Sequence, residues 1–544
     1  MSEPKRTRKS EYLLTGLIVL VLLAYAALFG FLNFRGFAKL ALADMYEDTL
    51  CARLMWEAKS LFPKRFLFGN QFYVIATPVF AALFYGLTGS MNTAMALATT
   101  LMSLLILLSM DWMLRPVLKK PWHRLAALLA FVGLLFGPGS ARREDGTQLF
   151  FVMCSYYACY VITDFVVLGD YLRARFSAER RYPALFLAAL TCFCTGMQSL
   201  RQTCITILPL LCFEGIGLLY RLMRHAAPSP SARRHILLRI GVYSAANLLG
   251  VVFIRLLHPM QHTIYQGASL FTGSTLQEEL DEISQALSFV TGREYIANTY
   301  DSSFFALMFA FCLLLVLGAL VLILLRAGKE NEPAAVPWLL SVLACGAVIA
   351  ASCFTSVSLR PIYLFPWYFL PALSYTILAR RLKPLHTELI TGVLILLSAF
   401  NLYYSYHLDV DTVLSDTPTP EQQICDYAVE NHYRYIYGCQ SMGAAQIAAF
   451  SDGKLIAGCW EDNTIFKISP HINIRDIYHY HEPDAKYALF IFMPWEEEGA
   501  LKLAADSDTT LTLIGYYGQY AVYISDKQML YPISELIDLK PGYN

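Results

Sequence analysis

Long uncharged apolar runs, separated by short basic segments, set the pattern of this chain. Tyr12–Phe34 and Phe304–Leu325 each carry no charge, and each runs for about twenty residues or more, the length a helix needs to cross a bilayer. Hydropathy predicts about eleven spans, over 12–33, 91–112, 125–140, 148–168, 184–200, 203–220, 237–256, 304–325, 336–356, 361–379 and 388–406. The first has no small-residue cleavage site after it and reads as a retained span. The apolar stretch 72–89 is assigned to the surface. Were it a span, Arg115, Lys119, Lys120 and Arg124 would face outward, against the rule that basic loops stay inside.

With that assignment, the inner segments hold 22 Lys and Arg and the outer segments before residue 407 hold 12. The N-terminus is then cytoplasmic, and everything after residue 407 lies outside. Two outer loops are long, 34–90 and 257–303; the second carries Glu278, Glu279, Asp281 and Glu282.

Beyond 407 the pattern changes. Asp409, Asp411, Asp416 and Thr417-Pro418-Thr419-Pro420 read as a linker. Thr419-Pro420-Glu421-Gln422 predicts a capped helix start, with Thr as cap, Pro at the first position and Gln closing a capping box. Tyr435–Tyr437, Tyr487–Met493, Leu511–Tyr516 and Ala521–Ile524 are β-rich and aromatic, and Ser451-Asp452-Gly453 predicts a tight turn. The fold expected is a polytopic all-α membrane module over 1–407, followed by a small extracytoplasmic α/β domain over 418–544.

Composition agrees. Of 544 residues, 56% are hydrophobic, and the mean hydropathy is +0.45. The net charge of zero offers no footprint for nucleic acid. Most of the 13 cysteines sit in spans as small apolar fillers. Cys425, Cys439 and Cys459 fall in the outer domain, and the sequence leaves open whether two of them pair. No CxxC pair or His-rich spacing suggests zinc.

The candidate chemistry lies on the outer side. Asp44, Glu47 and Asp48, at i, i+3 and i+4, share one helix face just past the first span. The ordinary reading is a solvated acidic helix. The functional reading is a general base, helped by a divalent cation, magnesium or manganese, with Asp44 and Asp145 as candidate ligands. Arg142, Arg143, Glu144 and Asp145 follow Gly137-Pro138-Gly139 at the end of a span, and Arg201 and Arg360 lie in further outer turns. Guanidinium forks suit phosphate oxygens, so these arginines point to an anionic headgroup or a lipid-linked phosphate. Asp164 and Glu214 fall within spans, toward the inner ends by this topology, and would matter most in a transporter.

These residues resemble the GT-C superfamily of membrane glycosyltransferases, in particular the branch of the protein O-mannosyltransferases and the lipid A aminoarabinose transferase. Asp44 followed by Ala52-Arg53-Leu54-Met55 looks like that branch's first-loop motif. Ala76-Thr77-Pro78-Val79 with Leu87-Thr88-Gly89-Ser90 is similar to its proline-containing surface helix and the turn after it. Gly137-Pro138-Gly139 with Arg142, Glu144 and Asp145 resembles the second loop. Arg360-Pro361-Ile362-Tyr363-Leu364-Phe365-Pro366 resembles a late Arg-Tyr-Pro segment.

The resemblance covers roughly residues 12–380 and rests on topology more than identity. The adjacent acid pair of many relatives is split here, and a lysine-preceded double proline is absent. It implies a sugar taken from a polyprenyl-phosphate carrier at the outer leaflet and passed to a glycan, lipid or protein acceptor. Asp44, or its neighbour Asp48, would serve as base, and the arginines, with Tyr363, would hold donor or acceptor. The alternatives are a transporter or flippase, or a non-catalytic glycan-assembly protein with an outer sensor domain.

Overall fold

A computed structural model describes residues 5–66, 68, 72–135, 151–152, 157–176, 182–223, 230–257, 280–281, 302–325, 332–354, 359, 361–439, 443–460, 464–468 and 488–530. Long apolar helices dominate it. Among the described residues, seven helices are long and apolar enough to cross a membrane, and 77–88, 121–135 and 182–198 are shorter apolar helices. In chain order the helices are α1 (Lys5–Leu40), α2 (Ala43–Ala58), α3 (Thr77–Thr88), α4 (Met91–Leu114), α5 (Pro121–Leu135), α6 (Ala158–Phe176) and α7 (Tyr182–Gln198). A π-helical turn, Thr203–Ile207, leads into α8 (Leu208–Met223). Then come α9 (Pro230–Leu257), α10 (Ser302–Leu325) and α11 (Ala335–Phe354), a 3₁₀ segment Pro361–Phe369, α12 (Leu370–Arg381) and α13 (Pro384–Ser405).

Several boundaries differ from the hydropathy windows for a physical reason. The 148–168 window gives a helix that starts at Ala158 and runs to Phe176, because Asp170, Arg173 and Arg175 find partners inside the protein that a hydropathy scale cannot see. The 361–379 window is broken: Pro366 lies inside it and Leu364 is non-helical, so it winds as a 3₁₀ segment before α12. The bundle's outer surface is apolar, with Leu20, Leu249, Leu256, Leu314, Leu324 and Leu396 all exposed, as lipid-facing residues are.

The two ends of the bundle differ in charge. At one end Lys120 meets Glu11 at 2.6 Å, and Asp111 holds Arg115 at 2.7 Å and Arg124 at 2.9 Å. Arg380 pairs with Glu332 at 2.7 Å and also donates to the Val117 carbonyl at 2.5 Å. Arg173 lies 3.7 Å from the Trp112 ring centroid and donates to that residue's carbonyl. The other end carries α2, the 72–75 segment, the turn after α7 and the C-terminal sheet.

That sheet follows α14 (Pro420–Glu430), whose capping box is formed as the sequence predicts: Thr419 accepts from the Gln422 N–H, and the Gln422 side chain accepts from the Thr419 N–H. Its strands are β1 (Tyr435–Cys439), β2 (Ile456–Trp460), β3 (Ala488–Phe492), β4 (Leu511–Tyr517) and β5 (Tyr520–Ser525), in the order β2-β1-β3-β5-β4. β1 runs parallel to β2 and β3, and β5 is antiparallel to β3 and β4. Two short helices, α15 (Ala444–Ala449) and α16 (Glu497–Asp506), complete it. The turn at Asp452 and Gly453 is left-handed at both residues, φ 53° and 76°.

Strand β2, α15 and α16 are the elements that the sequence pattern missed. Cys425, Cys439 and Cys459 are buried thiols. The register pairs Cys459 with Gly438 and Cys439 with Trp460, so these two side chains leave opposite faces of the sheet and cannot bridge. One continuous buried cluster runs from the bundle through Met45, Tyr46 and Leu50 of α2 into the sheet.

Candidate functional site

Helix α2 carries the acids, and its surroundings are unequal along its length. Asp44, in the first turn, is exposed. It makes no hydrogen bond or ion pair among the described residues, and the helix N-terminus favours its charge. Glu47, one turn on, is half-buried and accepts a hydrogen bond from Tyr73 Oη at 2.9 Å. Asp48 is buried, and its Oδ1 has no hydrogen-bond partner among the described residues.

Burial is the main force on both inner acids. It pushes the Glu47 carboxyl up to about 7, against a weaker lowering by the Tyr73 hydroxyl and a small further rise from the Asp44 charge. Asp48 is raised well above the usual carboxylate range by burial first, then by Glu47 and Asp44. Sequence reasoning left the base open between Asp44 and Asp48, since spacing alone cannot tell which of two acids on one face is buried.

The C-terminal sheet fixes α2 from behind. The Ala457 N–H of edge strand β2 donates to Tyr46 Oη at 2.6 Å. Arg53 donates to the Gly453 carbonyl, and Asp452 Oδ1 accepts from the Asn92 N–H at 2.6 Å and from Ser90 Oγ at 3.1 Å. Since Ser90 is the N-cap of α4, one turn of the outer domain ties α2 to the start of a membrane helix.

From Glu47 a polar path crosses the same end of the bundle. Beyond Tyr73, the N–H groups of Val74 and Ile75 donate to Gln198 Oε1 at 3.1 and 3.0 Å. The Phe72 N–H donates to the Gln198 carbonyl at 3.3 Å. Gln198 ends α7, which is held close against α9: a Cβ at Gly196 would lie 2.1 Å from the Asn247 carbonyl oxygen, and one at Gly250 2.1 Å from that of Phe193. Three residues past Gln198, Arg201 stacks among aromatic rings, 4.9 Å from the Tyr157 centroid, 5.5 Å from Tyr363 and 6.0 Å from Tyr160. Tyr160 Oη and Ser199 Oγ are hydrogen-bonded at 2.7 Å.

Of the residues expected from the sequence, the structure links Glu47 through Tyr73 and the backbone beyond it to Gln198, three residues before Arg201, whose guanidinium meets Tyr363; Asp44 and Asp48 share α2 with Glu47. Arg142, Arg143, Glu144, Asp145 and Arg360 lie outside the described residues, as does most of the 257–303 loop. Tyr73, Gln198, Tyr157 and Tyr160 were missed. Tyr157 and Tyr160 fall in the middle of the predicted 148–168 span, so their positions carried no interfacial signal. Among the described residues no three His, Cys, Asp or Glu side chains converge as metal ligands. The α2 acids alone therefore do not fit a divalent cation.

Comparison with family models and with curated proteins finds no match for the chain. Solved structures do match. ArnT from Cupriavidus metallidurans bound to undecaprenyl phosphate superposes with a TM-score of 0.56 at 13% identity, covering 97% of this chain and 100% of that one. This chain has the GT-C-like fold. The apo form of the same ArnT matches at a TM-score of 0.42 and 13% identity, covering 94% and 98% of the two chains. Read as a GT-C-like bundle, the chain is a multi-pass membrane protein whose first loop, carrying α2, lies against the C-terminal sheet.

Proposed function

We propose that this protein is a GT-C-type glycosyltransferase that moves a sugar from a polyprenyl-phosphate carrier to a glycan, lipid or protein acceptor on the outer face of the membrane. The observation that carries this reading is the exposed Asp44 on a helix tied, through Tyr73 and Gln198, to the turn that presents Arg201. The fold likeness to a protein solved with undecaprenyl phosphate supports the class of carrier.

In this reading an acceptor oxygen attacks the anomeric carbon while the bond from that carbon to the phosphate oxygen breaks. The acceptor's proton goes to Asp44, and the carrier leaves as polyprenyl phosphate. Arg201, held rigid by its aromatic neighbours, faces the charge that grows on the departing phosphate. Burial raises the pKa of both Glu47 and Asp48 behind Asp44, which lessens the repulsion that three ionised carboxylates on one face would create. No divalent cation enters this scheme. The N-terminus is cytoplasmic and residues 418–544 form the outer domain that backs α2.

The test is release of polyprenyl phosphate from a polyprenyl-phosphate sugar by the purified protein. Loss of release in Asp44→Asn, with normal folding and membrane insertion, supports the reading. Full activity in that variant removes Asp44 from the chemistry. Carrier movement across vesicles with no release would favour the flippase instead. Against that alternative, Glu214 is neutralised by Arg175 and hydrogen-bonded by Tyr171, an arrangement suited to holding helices together.

A further inference from the structure

Asp164 is a buried carboxylate that the proposed chemistry does not use. It lies on α6 and is 5% exposed. It is not near the basic end, as hydropathy windows suggested: nine residues of helix separate it from Arg173, roughly 13 Å at the helical rise. Its partner among the described residues is Thr206, whose hydroxyl donates to Oδ1 at 2.6 Å. The Thr206 oxygen accepts from Gln202 Nε2 at 2.5 Å, so its single proton is committed to Asp164. No described cation answers the charge, whereas Asp170 is met by Arg239 and Glu214 by Arg175.

The carboxylate lines a small cavity of about 10 Å³, room for a single ion or water, between α6, the start of α8, α11 and the 3₁₀ segment, walled otherwise by Leu168, Ile205, Pro209, Ala344 and Pro366 among others. Ser341 also lines it and is 3% exposed. Two backbone interruptions meet there, the π turn before Pro209 and the 3₁₀ segment containing Pro366. A proline has no N–H, so each leaves a carbonyl of the preceding turn without its helical donor. A carboxylate, the Ser341 and Thr206 hydroxyls and carbonyls beside two prolines, between interrupted helices, form an all-oxygen environment for a hard cation.

The geometry points to a sodium-ion site at Asp164, built with Ser341, Thr206 and the carbonyls beside Pro209 and Pro366. A monovalent ion leaves one carboxylate neutral. A divalent ion would leave a net positive charge inside the bilayer, and Asp164 is the one acid among the described lining residues. The inference is independent of the glycosyl-transfer reading, because its readout is stability.

The experiment is thermal unfolding of the purified full chain in chloride salts of sodium, potassium and N-methyl-D-glucamine, at constant pH and ionic strength. A saturable, sodium-selective rise in the midpoint is expected, with no rise in Asp164→Asn. Ser341→Ala should need roughly fivefold more sodium for half effect, as loss of one oxygen ligand implies. Equal midpoints in the three salts, including the case where only pH moves them, overturn the site. So does a sodium-dependent rise that survives in Asp164→Asn. If that variant does not fold, an unchanged sodium titration in Ser341→Ala overturns it instead.

Discussion

The two ends of this bundle spend their charge differently. At the basic end three acids meet cations: Glu11 meets Lys120, Asp111 meets two arginines, and Glu332 meets Arg380 and Arg381. At the other end three acids on α2 crowd one face with no cation bonded to them among the described residues, and Arg201 lies among tyrosine rings. Paired charges hold loops together and leave nothing over for a ligand. Unpaired charges, held apart by a rigid backbone, cost stability and are available for chemistry.

The largest expected effect breaks the comparison at the acid end. Asp44→Asn should lower sugar transfer by about 10²–10⁴-fold, the usual contribution of a positioned base, with the unfolding midpoint unchanged. Equal loss of activity and of folding would make Asp44 structural. Next, at the depth of the bundle, Asp170→Ala leaves Arg239 buried without its carboxylate and Tyr243 without its acceptor. Stability should fall by about 3–5 kcal/mol, read as a lower denaturant midpoint with the transfer site otherwise intact.

The third prediction concerns pH. Glu47 titrates at about 7 in the folded protein against an ordinary value of 4.5. The fold therefore holds a proton that the unfolded chain gives up in that window. This contribution to stability is fully present below pH 4.5 and is lost as pH rises through about 7. Glu47→Gln should flatten the fall in midpoint across the window, and an unchanged slope would show that Glu47 does not carry it. Fourth, Tyr73→Phe removes the hydrogen bond that favours ionised Glu47. Stability should drop by about 1 kcal/mol, and the inflection attributed to Glu47 should move to higher pH. The smallest effect belongs to the basic end: Glu11→Gln, which breaks an exposed pair with Lys120, should cost about 0–1 kcal/mol and vanish in high salt.

Much of this contrast was legible in the sequence. Hydropathy and the Lys and Arg bias sorted the loops onto the two ends, and the capped helix at Thr419 and the turn at Asp452 were readable from local chemistry alone. The acids Asp44, Glu47 and Asp48 could be found by spacing. Their division of labour could not, because the burial of Asp48 comes from tertiary packing that the spacing of acids on one helix does not show. The path through Tyr73 and Gln198 was invisible for the same reason: backbone N–H groups of Val74 and Ile75 leave no mark on side-chain patterns. Asp164 was misplaced toward the basic end because the helix containing it continues past its apolar window, to Phe176.

The Asp452 carboxylate closes the start of α4 across 360 positions of chain. A ribosome finishes α4 long before it reaches that aspartate. Until the last quarter of the protein has been made, α4 lacks this cap, and α2 lacks the anchors at Tyr46 and Arg53. An unfinished copy inserted in the membrane would thus carry all three α2 acids and still lack a settled site. The architecture delays assembly of its acid end until synthesis is nearly complete.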